Sequence, residues 1–159
     1  MAKQRNEIEE KYTWDLSTIF PTDEDFEAEL AQVSKELKKA TGLAGHLLDS
    51  ADSLLKTTEV QLDLMRRIEK LYSYAHMKND QDTRVAKYQE YQAKGMTIYS
   101  EFGQAFAFYE PEFMAITEDQ YQAFLTEKPE LQIYQHYFDK LLQKKEHILT
   151  QREEELLAG

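Results

Sequence analysis

The sequence predicts an all-α protein, an antiparallel bundle of about five to six helices built on a long central helical hairpin, and three observations lead there. Only five Gly and three Pro interrupt 159 residues. Apolar side chains recur at intervals of three and four along every long segment, the period of one helix face. No stretch alternates apolar and polar in the manner of a half-buried strand. A chain of this length buries about two thirds of its unfolded surface, and ten Tyr, eight Phe and one Trp supply bulk for a core. Residues 1–21 are expected as a leading segment packed on the bundle, and residues 22–159 as a single helical domain.

The first helix opens at Thr22, a capping residue with Asp25 three positions on and Pro21 just before it. Phe26, Leu30, Val33 and Leu37 form its apolar stripe, Glu27, Glu29, Lys35, Glu36 and Lys38 face water, and Gly42 and Gly45 close it. A short helix is expected from Ser50 to Lys56, with a second long helix opening at Thr57 or Thr58. The inward stripe of that second helix is Leu64, Ile68, Leu71 and Ala75, widened by Met65 and Tyr72. The polar run Lys78 to Thr83 breaks the pattern and reads as the hairpin turn.

The third helix then carries Val85, Tyr88, Gln92, Gly95, Tyr99, Phe102, Phe106 and Tyr109 until Pro111, which would make it the longest. A glycine on that stripe costs the helix about 1 kcal/mol against alanine, so Gly95 suggests a close backbone approach by a neighbour. Thr117, with Gln120 three residues on, caps a helix with Tyr121, Phe124 and Leu125 on its apolar side. Pro129 suits the first turn of a fifth long helix with the stripe Ile133, Tyr134, Tyr137, Phe138, Leu141 and Leu142. Thr150 and Glu153 mark a last capping box and a terminal helix through Leu157.

Charge and composition exclude several classes of function. Thirty Asp and Glu against nineteen Lys and Arg give a net charge of −11, which repels phosphate backbones and anionic lipid, so neither nucleic acid nor membrane is an expected partner. With no cysteine there is no disulfide scaffold, thiol nucleophile or thiolate metal site. No apolar run approaches the roughly 18 residues of a membrane span, and the charged start lacks the apolar middle of a signal peptide, so a cytoplasmic location is expected.

No histidine stands in a recognised metal motif. Two-metal bundles place a Glu three residues before a His, but Leu43, Ser73, Ile133 and Lys144 stand before His46, His76, His136 and His147. The H-E-x-x-H helix of zinc peptidases is missing too, since those histidines are followed by Leu47, Met77, Tyr137 and Ile148. His76 and Asp80 form the one ligand-like pair at helical spacing, and a helix-end histidine near a solvated carboxylate explains them more simply. Asn79, Asp80 and Asp82 resemble the start of a calcium loop, but Val85 takes the glycine position and Tyr91 the closing glutamate. Gly42 to Gly45 lacks the Lys and Ser/Thr of a phosphate cradle. Glu153, Glu154 and Glu155 fit the first turn of a helix better than acid–base work. The Tyr and Phe of the third and fifth helices are read first as core, second as a groove or rim. No catalytic, cofactor-binding or metal-binding residue is therefore assigned.

A family comes into view in three segments. Tyr12-Thr13-Trp14-Asp15-Leu16-Ser17-Thr18-Ile19-Phe20-Pro21 resembles the opening of oligoendopeptidase F enzymes, where Tyr-x-Trp-Asp-Leu and a turn ending in Pro precede the first helix. Leu71-Tyr72-Ser73-Tyr74-Ala75, followed by Asp80-Gln81-Asp82-Thr83, is similar to the family's Leu-Tyr-x-Tyr-Ala hairpin. Ile148-Leu149-Thr150 with Glu153 to Leu157 is similar to the segment closing its N-terminal lobe. The resemblance runs in family order from residue 12 to 157.

It implies the N-terminal lobe of a mostly helical, thimet-oligopeptidase-like zinc metalloendopeptidase that cleaves short peptides in a deep channel. The zinc and its motif would lie in a downstream catalytic lobe, and this chain alone would be inactive, helping to wall the channel. The implied partners are that downstream lobe and oligopeptide substrates, with self-association expected of a lobe on its own. A free-standing helical interaction module is the alternative from another class. A metal-storing bundle is disfavoured by the missing Glu-x-x-His pairs.

Overall fold

The computed structural model describes residues 7–145, which are helical with no strand among them. Six α-helices follow in order: α1 Asp23–Ala40, α2 Ala51–Gln81, α3 Ala86–Ala105, α4 Tyr109–Met114, α5 Glu118–Glu127 and α6 Gln135–Lys145. The expected all-α helical bundle is what forms. The terminal helix expected from Thr150, with His147 and Glu153 to Glu155, lies outside the described residues.

Packing divides the chain into two compact units. One takes in the chain up to Gly42 together with Glu59–Phe106, and the other Leu43–Thr58 together with the chain from Ala107 on. In the first unit α1 opens as expected: Thr22 Oγ1 accepts from Asp25 N at 3.1 Å, and Asp25 Oδ2 accepts from Thr22 N at 3.1 Å. Two otherwise unpaired amides are satisfied reciprocally. Phe26, Val33 and Leu37 of α1, Leu64, Ile68, Leu71 and Ala75 of α2, and Tyr91 and Ile98 of α3 are all buried, and the Phe26 and Tyr91 ring centroids lie 4.5 Å apart. The leading segment joins this core through Leu16 and Phe20, and the Phe20 ring meets Phe26 and Tyr74 edge-on at 5.8 and 5.2 Å. Such edge-to-face pairs each add about 0.5–1.5 kcal/mol beyond the area they bury.

Gly95 is buried, and a Cβ on it would stand 3.5 Å from Tyr72 Cα and 3.4 Å from Ala75 Cβ. The close approach expected at this glycine is present. It is an ordinary van der Waals distance, so α2 would also tolerate a methyl group there.

The second unit is organised around Phe113 and Phe138, stacked with centroids 4.9 Å apart, with Tyr121 edge-on to both. Leu47, Leu54, Tyr109, Leu131 and Leu141 complete this core. Thr117 Oγ1 caps α5 by accepting from Gln120 N at 3.2 Å. The Glu112 carboxylate accepts from Gly45 N at 2.5 Å and Leu47 N at 3.2 Å, tying the turn after α1 to α4. Gly45 sits at φ 83°, a left-handed conformation that side chains disfavour.

Four expectations need correction. The separate helix at Ser50–Lys56 does not exist. Ser50 does cap, accepting from Ser53 N at 3.1 Å, but α2 continues for 31 residues and is the longest helix. Thr57 and Thr58 are buried inside α2, and Thr58 donates back to the Leu54 carbonyl at 2.7 Å instead of capping a new helix. Lys78 to Gln81 likewise remain helical, so the hairpin turn is shorter than the polar run. Third, α3 ends at Ala105, and Pro111 stops nothing: it stands in the first turn of α4, where a missing N–H is harmless. Last, Pro129 opens a 3-10 helix, Pro129–Tyr134, ahead of α6. Its tighter period turns Ile133 outward, 81% exposed, and buries Leu131 in its place.

Candidate functional site

The outer face of the α2–α3 hairpin carries a surface groove of the first unit. It has a volume of about 650 Å³ and is lined by Glu69, Tyr72 and Ser73 of α2 and Met96 and Tyr99 of α3. The helical period explains why these residues meet. The inward stripe of α3 runs Tyr91, Gly95, Ile98 and Ala105, which leaves Met96 and Tyr99 to the outside. Tyr72 was expected to widen the inward stripe of α2; it points out instead, beside Tyr99, with ring centroids 5.8 Å apart and planes inclined at 53°. One turn on, His76 lies against Tyr72 with centroids 4.1 Å apart.

His76 and Asp80 do not form a ligand pair. Gln92 Nε2 donates to His76 Nδ1 at 3.2 Å, and Gln92 Oε1 accepts from Asn79 Nδ2 at 2.9 Å, a chain of hydrogen bonds that joins the end of α2 to α3. Asp80 is exposed and lines a different groove with Ile8, Tyr12, Trp14 and Met77. His46 bonds Asp49 Oδ2 at 2.7 Å on the surface, and His136 is exposed. Among the described residues no group of three or more His, Asp or Glu is close enough to hold a metal ion. None of their helices is long and apolar enough to cross a membrane.

Ion pairs set the geometry of the first unit. Arg67 of α2, largely buried, donates to Glu29 and Glu36 of α1 at 2.6 Å each. Those hydrogen bonds, that from Glu29 first, raise the Arg67 pKa against the opposing effect of burial. At the other end of the hairpin, Asp23 accepts from Tyr74 at 2.9 Å and lies 2.9 Å from Lys87 and 3.3 Å from Lys78. Burial alone would raise the Asp23 carboxyl; Lys87, Tyr74 and Lys78 outweigh it and hold the group below its ordinary value. Tyr91 donates to Glu27 at 2.5 Å, and burial with that bond pushes the phenol up to about 12.

Sequence reasoning missed the second exposed patch. Tyr12 and Trp14 are each 72% exposed, and with Ile8 they line the groove that reaches Met77. The leading segment is nevertheless ordered by its own bonds, Thr13 Oγ1 to the Glu10 carbonyl at 2.7 Å and Ser17 N to Asp15 Oδ1 at 3.0 Å. Its outward Tyr12 and Trp14 against inward Leu16 and Phe20 are the signal that could have found it.

Similarity to known proteins follows the whole chain. The family model described as Oligopeptidase F matches residues 112–159. A group B oligopeptidase, PepB, of Streptococcus agalactiae is 56% identical over 159 residues, which is 100% of this chain and 26% of that protein. The plasmid oligoendopeptidase F of Lactococcus lactis subsp. cremoris is 55% identical over 160 residues, covering 100% of this chain and 27% of the relative. The crystal structure of oligoendopeptidase-F from Enterococcus faecium superposes with a TM-score of 0.72 at 34% identity, over 86% of this chain and 26% of that one. The chain thus spans about a quarter of the length of the relatives it matches. Along its whole length it is similar to oligoendopeptidase F enzymes, and it matches the N-terminal quarter of them.

Proposed function

We propose that this chain is the non-catalytic N-terminal lobe of an oligopeptide-cleaving zinc metalloendopeptidase. The single observation that carries the reading is 56% identity along the entire chain to a quarter of a longer oligopeptidase. In this reading residues 22–159 serve as the lobe and residues 1–21 as its leading segment, in the cytoplasm. The zinc belongs to the downstream catalytic lobe, and no residue of this chain is catalytic, metal-binding or cofactor-binding.

The lobe's task is steric: a rigid helical wall narrows access to the catalytic centre so that short peptides enter and folded proteins do not. Rigidity of that kind is supported by the Arg67 clamp and the aromatic core around Phe26. The partners are the downstream lobe, oligopeptide substrates and, at high concentration, a second copy of this chain. Tyr12 and Trp14, ordered yet outward, support a contact with the downstream lobe, because exposed patches of this kind mark interaction surfaces.

Zinc stoichiometry tests the reading. The longer polypeptide is expected to hold one tightly bound zinc per molecule, removable by chelator, and this chain none. One tight zinc on the 159-residue chain would contradict it.

A further inference from the structure

We propose that the groove on the outer face of the α2–α3 hairpin is a binding site for an arginine side chain of a short peptide. Tyr72 and Tyr99 line the groove side by side, with ring centroids 5.8 Å apart, and Met96 adds to the same apolar lining. An aromatic face attracts a cation through its quadrupole, and the planar guanidinium both stacks on such a face and offers a fork of N–H donors to a carboxylate. That carboxylate is at hand. Glu69 lines the groove and has no hydrogen bond or ion pair among the described residues. The cations nearest it in sequence are engaged elsewhere: Arg66 bonds Asp63 at 2.6 Å, and Lys70 lies 5.3 Å over the Phe20 ring. Ser73 adds a hydroxyl to the rim.

Charge complementarity selects the occupant. A chain of net charge −11, presenting an unpaired carboxylate in the same groove as a pair of tyrosine rings, favours a cationic side chain and repels an acidic one. A peptide side chain also fits the scale of the site, a half-open groove on one hairpin rather than the broad face that a second protein needs. This inference rests on the peptide-handling reading above and adds to it a preferred side chain and the groove that holds it.

The test is a titration of the 159-residue chain, carrying ¹³C-methyl methionine, with three capped tripeptides: Ala-Arg-Ala, Ala-Leu-Ala and Ala-Glu-Ala. The Arg peptide is expected to move the Met96 methyl and the Tyr72 and Tyr99 ring resonances in a saturable, salt-weakened manner, while the Leu and Glu peptides leave them in place. Glu69→Gln, an exposed and nearly isosteric change, is expected to weaken Arg-peptide binding about threefold, as loss of an exposed ion pair does. Tyr99→Ala is expected to weaken it by a similar factor through the lost cation–π contact, with an unchanged helical circular dichroism spectrum as its control. An equal response to all three peptides, no response to any, or full retention of binding in Glu69→Gln would overturn the proposal. Those outcomes would leave peptide cleavage by the longer enzyme untouched, so the two readings fail separately.

Discussion

The Tyr109 phenol donates to the Thr58 hydroxyl at 2.6 Å, and Thr58 in turn donates to the Leu54 carbonyl at 2.7 Å. Tyr109 and Thr58 are both fully buried, so this pair places a polar link inside an apolar core. The Thr58 proton is committed to Leu54, which leaves its oxygen to receive the phenol.

The two ends of that link are expected to differ in cost. Tyr109→Phe removes the donor and leaves Thr58 bonded to Leu54, so a loss of about 1 kcal/mol is expected. Thr58→Val strands the phenol in the core, and about 2 to 3 kcal/mol is expected. Urea unfolding of both variants checks the order, and a Thr58→Val cost equal to or below that of Tyr109→Phe would refute it.

Asp23 is expected to give stability a distinct acid dependence. Its folded-state pKa lies below the ordinary carboxylate value, so its contribution is fully present above about pH 4 and is lost as pH falls through the lowered value. Asp23→Asn is therefore expected to cost about 1 to 2 kcal/mol at neutral pH. The gap from the parent chain should stay level down to about pH 5 and narrow as pH falls through the lowered pKa. Denaturant melts across that range measure it, and a gap that widens in acid would contradict the assignment.

Gly95→Ala is expected to stabilise the chain, by up to about 1 kcal/mol, because the helix gains propensity and the added methyl meets Tyr72 and Ala75 at ordinary contact distance. A loss of more than about 1 kcal/mol would mean that α2 and α3 cannot accommodate even that methyl.

Much of this arrangement is legible in the sequence, and the exceptions share a cause. Thr22 with Asp25 and Thr117 with Gln120 announce their helices because a cap is satisfied within one turn, by neighbours in the chain. Thr58 misleads for the converse reason: the same hydroxyl that caps a helix start also bonds back to the carbonyl four residues earlier, and only tertiary burial selects between them. Tyr72 and Tyr99 were drawn into apolar stripes by their size. The true inward line of α3 passes through Tyr91, Gly95, Ile98 and Ala105, with Gly95 at the close approach to α2, and Tyr99 falls outside it. Ile133 was misplaced because a 3-10 segment has a different period from the α-helix that follows it. The groove was unreadable in sequence because it exists only where Tyr72 and Tyr99, both assigned to inward stripes, turn outward together. The family resemblance, by contrast, was carried by Tyr12 to Pro21 and Leu71 to Ala75, short segments whose spacing survives without any knowledge of packing.

The proposed role, shaping a peptidase without performing its chemistry, is tested most directly by hydrolysis of a short internally quenched peptide. The purified 159-residue chain is expected to leave the peptide intact, whereas the longer polypeptide that includes the downstream lobe is expected to cleave it, to stop on addition of a zinc chelator, and to spare a folded protein substrate. Chelator-sensitive cleavage by the 159-residue chain itself, persisting through repurification, would contradict the account.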